Sequence, residues 1–154
     1  MTASLISTLP AELTQAIHTR FNQVPAVGQL QMTLTDMAPG ECCAQAPRIP
    51  AWDGYYQSVH GGILATLADT LACFAVMTHT GPQQAMTTTD LHIRYLRPAL
   101  GTVYIHAEVI KRGKSLCPVQ VTLWDAPASE PNAKQIAVAQ VTYMLLDDIP
   151  HARA

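Results

Sequence analysis

The sequence predicts an α+β fold in which a curved antiparallel sheet of six strands wraps around one long helix. One apolar segment with helical periodicity begins at Gly61 and stops at Gly81-Pro82. Strand-like segments flank it, two before and four after, in a chain of 154 residues with 49% hydrophobic content. A single apolar helix among antiparallel strands is buried only if the sheet curls around it.

An N-terminal helix and two strands precede the long helix. Residues 10–21 carry apolar side chains at helical spacing, and Pro25 ends that helix. Residues 28–37 alternate apolar and polar side chains, which predicts a half-buried strand. Because Pro39-Gly40 marks a turn, residues 41–46 are expected to return as a second strand.

Residues 61–78 form the predicted long helix, since leucines recur on one face at helical spacing. Four strands follow, and the first three are joined by short connections that contain glycine. Their predicted ranges are 86–96, 102–111, 115–125 and 134–146. No linker or repeat divides the chain, so we expect one domain over 1–154 with a core over about 28–146.

Charge and cysteine content argue against several classes of function. The net charge is -2 and no basic run is present, which is unlike a nucleic-acid-binding protein. Only 13% of residues are charged, which favours a homo-oligomer whose surface is partly covered by protein. The cysteines form no CxxC pair and no histidine is spaced to complete a zinc site, so we predict reduced thiols and no metal.

The expected location is cytoplasmic, without a membrane partner. The apolar segment 63–77 is shorter than a membrane span and carries Asp69. Residues 1–4 lack the charged start and long apolar core of a signal peptide.

Asp69 is the only Asp, Glu, Lys or Arg between Gly54 and Thr89. An ionised carboxylate in apolar surroundings is costly unless it is hydrogen-bonded, paired or functional. It could be a structural acid satisfied by Thr66, Thr70 or a backbone amide. It could equally be a general base or a nucleophile.

Gly61 and Gly62 stand at the start of the long helix, directly after His60. Free amides at the positive end of a helix dipole can polarise a carbonyl group or hold a developing negative charge. The alternatives are that the glycines only permit a sharp turn into the helix and that His60 is only a helix-entry or packing residue. No GxSxG, P-loop or GxGxxG motif indicates a competing chemistry.

The spacing of Gly61 and Asp69 predicts a dimer. Eight residues separate them, which is roughly 12 Å along a helix at about 1.5 Å per residue. One carbonyl group cannot contact the Gly61 amide and also be attacked through Asp69 of the same helix. An antiparallel helix of a second copy would bring its own Asp69 to this Gly61, giving two equivalent sites.

The segment SVHGGILATLADT, residues 58–70, resembles the HGG…D signature of the hotdog-fold acyl-CoA thioesterases. It is most similar to the phenylacetate-pathway and aryl-CoA (hydroxybenzoyl-CoA) thioesterases. Residues 87–99, TTTDLHIRYLRPA, resemble the next strand of that family, which typically ends in Pro-Ala. The likeness covers roughly residues 28–146 with the same order of elements.

This resemblance implies a hotdog fold and the hydrolysis of an acyl-CoA to a free acid and CoA. The acyl group would be aromatic or of short to medium length. The reaction would need no metal or cofactor, and the protein would be a dimer or a dimer of dimers.

The resemblance also implies a role for each residue of the signature. Asp69 matches the catalytic carboxylate, which acts as nucleophile or general base across the dimer interface. Gly61, with Gly62 beside it, matches the glycine whose amide polarises the thioester carbonyl. His60 matches the histidine that supports this loop and the substrate oxygen, and Thr88 aligns with a hydroxyl residue that positions the attacking water in some members.

One position departs from the family pattern, which usually has Asn or Gln six residues before the histidine. Gly54 occupies that position here, and Asp53 and Gln57 are the nearest polar candidates to orient the carbonyl group. Basic side chains are candidates to bind the phosphates of CoA, although those of the turn could also form an ordinary charged hairpin. They are Arg94 and Arg97, and Lys111, Arg112 and Lys114 in the turn around Gly113.

Two other functions stay open from the sequence. One is a hotdog enoyl thioester hydratase or dehydratase, which uses a different arrangement of histidine and acid. The other is a non-catalytic acyl-CoA-binding module, which the absence of the family amide at Gly54 leaves open.

Overall fold

The structure of the chain, a computed structural model, describes residues 9–147. The helices are α1 (Ala11–Gln23), α2 (Pro25–Gln29) and α3 (Gly61–Thr80), with a short 3-10 helix at Pro50–Trp52. The strands are β1 (Thr33–Ala38), β2 (Glu41–Ala46), β3 (Met86–Tyr95), β4 (Val103–Val109), β5 (Leu116–Trp124) and β6 (Gln135–Leu145). Residues 1–4, from which the absence of a signal peptide was predicted, lie outside the described residues.

The six strands form one antiparallel sheet in the order β1-β2-β4-β5-β6-β3. Helix α3 contacts every strand of this sheet and buries Leu67 and Leu71 completely against it. Burial of such a side chain stabilises the fold by about 1.5–3 kcal/mol. On another side of α3, Phe74 packs edge-to-face on Phe21 of α1, with ring centroids 4.9 Å apart. The predicted six-stranded sheet around one long helix is confirmed.

The predicted strand over residues 28–37 is wrong in its first part. Pro25 ends α1 but also begins α2, because a proline is well suited to the first position of a helix. After α2, Gln31 adopts a left-handed backbone conformation (φ 51°), and β1 starts two residues later. The alternating apolar residues are buried all the same; they are Leu30, Met32 and Leu34.

Helix α3 is two residues longer than the predicted range of 61–78 and ends where Gly81 takes a positive φ of 82°. By length and composition alone, its 20 residues are long and apolar enough to cross a membrane. The helix is longer than the apolar stretch 63–77 from which the absence of a membrane span was predicted. Within the structure, 56% of the apolar stretch is buried inside the protein, as in a core helix.

One face of α3 stays open in the described part of the chain. We call it the open stripe, and it comprises Gly62, Ala65, Thr66, Asp69, Thr70 and Cys73, all of them partly or fully exposed. Most of these side chains are small, and they follow one another at helical spacing along the least covered side of the helix. The predicted catalytic carboxylate thus lies on the accessible side of the central helix.

Candidate active site

His60 caps the N-terminus of α3. Its backbone is extended (φ -58°, ψ 138°), and its Nδ1 atom accepts a hydrogen bond from the Gly62 amide at 2.9 Å. Because an acceptor nitrogen carries no proton, the neutral ring has its proton on Nε2. Of the two glycine amides expected to be free, that of Gly62 is therefore occupied by His60.

The Gly61 amide is available at the tip of α3. No hydrogen bond engages this N–H group within residues 9–147. The Gly61 carbonyl oxygen accepts a hydrogen bond from the Tyr95 hydroxyl at 2.7 Å. A Cβ atom at position 61 would lie 3.1 Å from Cζ of Tyr95, so the glycine lets this ring approach closely. Tyr95, at the end of β3, was not predicted as a site residue.

Asp69 is held by two hydroxyl groups from the sheet. Its Oδ1 atom accepts hydrogen bonds from Thr88 Oγ1 at 2.8 Å and from the Tyr143 hydroxyl at 3.0 Å. The predicted alternative partner Thr66 donates instead to the Gly62 carbonyl at 2.9 Å. No hydrogen bond in the described range engages Oδ2 of Asp69. One carboxylate oxygen is therefore fixed and the other is available.

Two titratable side chains close to Asp69 stay neutral near pH 7. Burial raises the pKa of the Tyr143 hydroxyl far above its usual range. Burial, followed by the nearby charge of Asp69, raises the pKa of the Cys73 thiol to about 12. Cys73 lies one helical turn beyond Asp69 and contacts Met86 Sδ at 3.6 Å. These two neighbours of the carboxylate thus carry no charge near pH 7.

The loop before His60 contains the polar candidates for orienting a carbonyl group. Both carboxylate oxygens of Asp53 accept hydrogen bonds from Arg48, with Nε of Arg48 at 2.8 Å from Oδ1. The Arg48 guanidinium lowers the pKa of the Asp53 carboxyl group. Gln57 is exposed and takes a positive φ of 55°. Asp53 is thus occupied by an ion pair, whereas the Gln57 side chain has no hydrogen bond within residues 9–147.

The basic candidates fall into two groups at opposite ends of α3. Arg94 and Arg97 flank Tyr95, which contacts Gly61 at the start of the helix. At the other end, burial and then the charge of Arg112 lower the pKa of His79, which places Arg112 near the last turn of α3. Lys114 lies in the same exposed turn as Arg112. Within one chain, the structure does not bring these two groups together.

A small apolar cleft of about 250 Å³, including its open mouth, lies beside the first turns of α3. Ile63 and Leu67 of the helix form one wall, and Val59 and Trp52 contribute from the preceding loop. The lining side chains are all apolar, so the cleft offers contact to a hydrocarbon or aromatic group.

The described residues contain neither a cluster of side chains that could hold a metal ion nor a disulfide bond. No group of three His, Cys, Asp or Glu side chains is placed there to hold a metal ion. Four cysteines are free of disulfide bonds; they are Cys42, Cys43, Cys73 and Cys117.

Comparison with known sequences identifies the region that carries these residues. Residues 56–131 match the family model described as the Thioesterase superfamily. A candidate esterase of Halobacterium salinarum is 31% identical over 93 residues, which are 58% of this chain and 62% of that protein. The chain therefore aligns with less than two thirds of the length of that relative.

Comparison with solved structures identifies the fold of the chain. A thioesterase family protein from Silicibacter pomeroyi has a TM-score of 0.79 at 24% identity and covers 87% of this chain and 98% of its own. The PaaI protein of the E. coli phenylacetic acid degradation operon has a TM-score of 0.78 at 20% identity and covers 90% and 96%. Thioesterase superfamily member 2 from Mus musculus has a TM-score of 0.74 at 25% identity and covers 88% and 98%. The chain has the hotdog fold.

Two tyrosines of the candidate site, Tyr143 and Tyr95, were not predicted from the sequence. Tyr143 is in phase with Ala139 and Val141 on the buried face of β6, and a buried tyrosine hydroxyl normally has a partner. That alternation is a signal that could have been used. Tyr95, in contrast, meets Gly61 across 34 residues and shows no local signal.

Proposed function

We propose that this protein is a member of the thioesterase superfamily and hydrolyses an acyl-CoA thioester to a free acid and CoA. The observation that carries this proposal is one pair of groups on α3. The Gly61 amide at its start and Oδ2 of Asp69 on its open stripe are both unengaged within residues 9–147. They are a hydrogen-bond donor for a carbonyl oxygen and a carboxylate oxygen able to activate water.

The active site is shared between two copies of the chain. Along one helix the two groups are roughly 12 Å apart, at about 1.5 Å per residue. The open stripe is rich in small side chains, so an antiparallel α3 can approach it closely. Each Gly61 is then completed by Asp69 of the partner subunit, and two-fold symmetry produces two equivalent sites.

In the general-base route, the substrate carbonyl oxygen accepts a hydrogen bond from Gly61. Water attacks the carbonyl carbon while Oδ2 of the partner subunit's Asp69 takes its proton. The resulting oxyanion is held by the Gly61 amide and the positive end of the helix dipole. The C–S bond then breaks, and the CoA thiolate takes the proton from Asp69, so that acid and thiol leave.

In the nucleophilic route, Oδ2 itself attacks the carbonyl carbon and the C–S bond breaks. This step forms a mixed anhydride and releases the CoA thiolate, and water then hydrolyses the anhydride. Both routes use the amide nitrogen of Gly61 and Oδ2 of Asp69. They differ in whether the enzyme carries an acyl group between the two steps.

In this dimer, basic residues of both subunits can bind the same CoA molecule. An antiparallel partner that places its Asp69 beside Gly61 carries its own His79 roughly 15 Å further on, at about 1.5 Å per residue. The basic turn with Arg112 and Lys114 of the partner subunit then lies on the same side as Arg94 and Arg97. We assign these four side chains to the phosphates of CoA, which explains why they lie at opposite ends of α3 within one subunit.

The apolar cleft beside Ile63 and Trp52 supports an acyl group that is aromatic or of short to medium length. Its small volume gives no room for a long extended chain. A panel of acyl-CoA substrates measures the specificity within this range.

Release of CoA from such a panel, followed with a thiol reagent, tests the proposal. The wild-type protein should release CoA, and Asp69→Ala should abolish release while keeping the fold and the dimer. Unchanged turnover in Asp69→Ala would overturn the mechanism. Hydration of an enoyl-CoA, or tight binding of acyl-CoA without release of thiol, would instead support the hydratase or the non-catalytic alternative.

A further inference from the structure

Tyr143 and Thr88 are direct partners across two neighbouring strands. Thr88 of β3 faces Tyr143 of β6 in the antiparallel register, and the register shifts between Thr88 and Asp90. One extra residue, Thr89, is thereby inserted into β3. Such a bulge re-aims the neighbouring side chains. The two strands consequently present two hydroxyl groups to the same helical residue, Asp69.

The Tyr143 hydroxyl contacts Asp69 at two points. It lies 3.0 Å from Oδ1 of the carboxylate and 2.9 Å from the backbone carbonyl oxygen of the same residue. The tyrosine is 5% exposed, and burial keeps its pKa far above the range of any assay. The hydroxyl therefore stays protonated at neutral pH and can donate a hydrogen bond.

These contacts restrict the conformation of the Asp69 side chain. A single hydroxyl that meets the carbonyl and the carboxylate of one residue favours one rotamer. Thr88 donates to the same Oδ1 atom at 2.8 Å, so both hydrogen bonds converge on one oxygen. Among nearby titratable groups, the Cys73 thiol is neutral and the positive charge of Arg20 in α1 acts on that thiol.

We infer that Tyr143 is a positioning residue which, together with Thr88, holds Oδ1 of Asp69 and leaves Oδ2 as the atom that reacts. The inference rests on the proposed function, because it concerns the carboxylate of the proposed reaction. It goes further by naming the reacting atom and the side chain that selects it. A tyrosine that only joins the helix to the sheet would stabilise the fold without changing the ionisation of Asp69.

Tyr143→Phe removes the hydroxyl and keeps the ring. We expect kcat to fall about 10-fold with KM nearly unchanged, since one hydrogen bond to a charged group is lost. The acidic limb of the pH profile should move to higher pH, because losing a donor to the ionised carboxylate favours its protonated form. Tyr104→Phe is the control, since it removes the hydroxyl of a partly buried tyrosine on β4 that is not hydrogen-bonded to Asp69.

Three further variants keep the test decisive if Tyr143→Phe folds poorly. Replacement of Tyr143 by 3-fluorotyrosine keeps the hydroxyl and makes it a stronger donor, so the acidic limb should move to lower pH. Thr88→Ser keeps the second donor and should retain activity, whereas Thr88→Val should behave like Tyr143→Phe. A purely structural role for these residues would leave the acidic limb in place.

The outcomes separate this inference from the proposed function. If Asp69→Ala abolishes hydrolysis while Tyr143→Phe and fluorotyrosine keep the wild-type kcat and acidic limb, the inference is overturned and the proposed function stands. If the wild-type protein hydrolyses no acyl-CoA, the titration of the Asp69 carboxyl carbon by NMR decides. A midpoint that moves to higher pH in Tyr143→Phe supports the positioning role, and an unchanged midpoint overturns it.

Discussion

His60 and Gly62 are joined by a hydrogen bond in which the imidazole Nδ1 accepts the glycine amide at 2.9 Å. This contact makes the histidine the N-cap of α3 and leaves Gly61 as the neighbouring glycine whose amide is unengaged within residues 9–147. The histidine of the signature therefore stabilises the start of the helix. In this way it also helps to hold the Gly61 amide that we propose to bind substrate.

Replacing the cap should separate stability from chemistry. We expect His60→Ala to lower the free energy of unfolding by about 1 kcal/mol, because an N-cap acceptor is lost. His60→Asn should recover most of that stability, since asparagine is among the preferred caps. Denaturant unfolding measures this difference. If Asn restores stability but not kcat/KM, the imidazole also contacts the substrate; equal recovery of both would limit His60 to capping.

Gly61→Pro and Gly61→Ala form a matched pair that tests the amide itself. Proline lacks the N–H group but is tolerated at the first position of a helix, and the extended backbone of His60 suits a following proline. Alanine keeps the N–H group and adds a Cβ atom that presses on Tyr95. We expect Gly61→Pro to lower kcat by about 100-fold or more, as for loss of an oxyanion donor, and Gly61→Ala to lower it less. Equal losses would point to crowding of Tyr95 and not to the amide.

Local patterns predicted most of the fold because each element carries its own periodicity. Helix α3 and strands β2 to β6 follow from apolar spacing between glycine and proline boundaries, and each was predicted to within two residues at either end. The exception is the segment after Pro25, where one proline both ends a helix and begins the next. Apolar and polar residues alternate over residues 30–34, and the apolar ones are buried although the strand begins only at Thr33. The sequence pattern therefore predicted burial correctly but not the start of the strand.

The site was predictable only where its parts are close in sequence. His60, Gly61 and Asp69 lie on one segment, and the spacing of Gly61 and Asp69 led to the prediction of a shared site. The contact of Tyr143 with Asp69 spans 74 residues and depends on the bulge in β3, which no local pattern specifies. Helix entry was one alternative for His60, but its capping hydrogen bond was not predicted, because histidine is not among the usual N-caps.

Acid should destabilise the protein through His79. Burial and the charge of Arg112 lower its folded-state pKa, so the unfolded chain binds a proton more readily. The stabilising effect of the neutral ring is present above the unfolded pKa of about 6.5 and is lost as the pH falls through the folded pKa. We expect the drop in Tm between pH 7.5 and pH 5 to be smaller in His79→Gln than in the wild type. His18→Gln is the control, and an equal drop in His79→Gln and the wild type would contradict this prediction.

Gly54→Asn should increase activity. Asparagine or glutamine is the usual residue at this position in the family that the signature resembles, where its amide orients the carbonyl group. A Cβ atom at position 54 would lie 3.6 Å from Cα of His60, which is ordinary van der Waals contact, so a Cβ atom is accommodated there. We expect kcat/KM to rise about 10-fold, equivalent to one added hydrogen bond of about 1.4 kcal/mol in the transition state. Gly54→Leu is the control of similar size without the amide; a rise in both variants would reflect a more rigid loop.

Mixed dimers test whether the site is shared between subunits. Asp69→Ala and Gly61→Pro should each have little or no activity alone, because every site then lacks one of its two groups. In a mixed dimer, one site combines the intact Gly61 of the first variant with the intact Asp69 of the second. Random mixing gives half mixed dimers with one working site each, so about a quarter of the wild-type activity should return. A site formed within one chain would return none, because no single subunit of the mixture carries both groups.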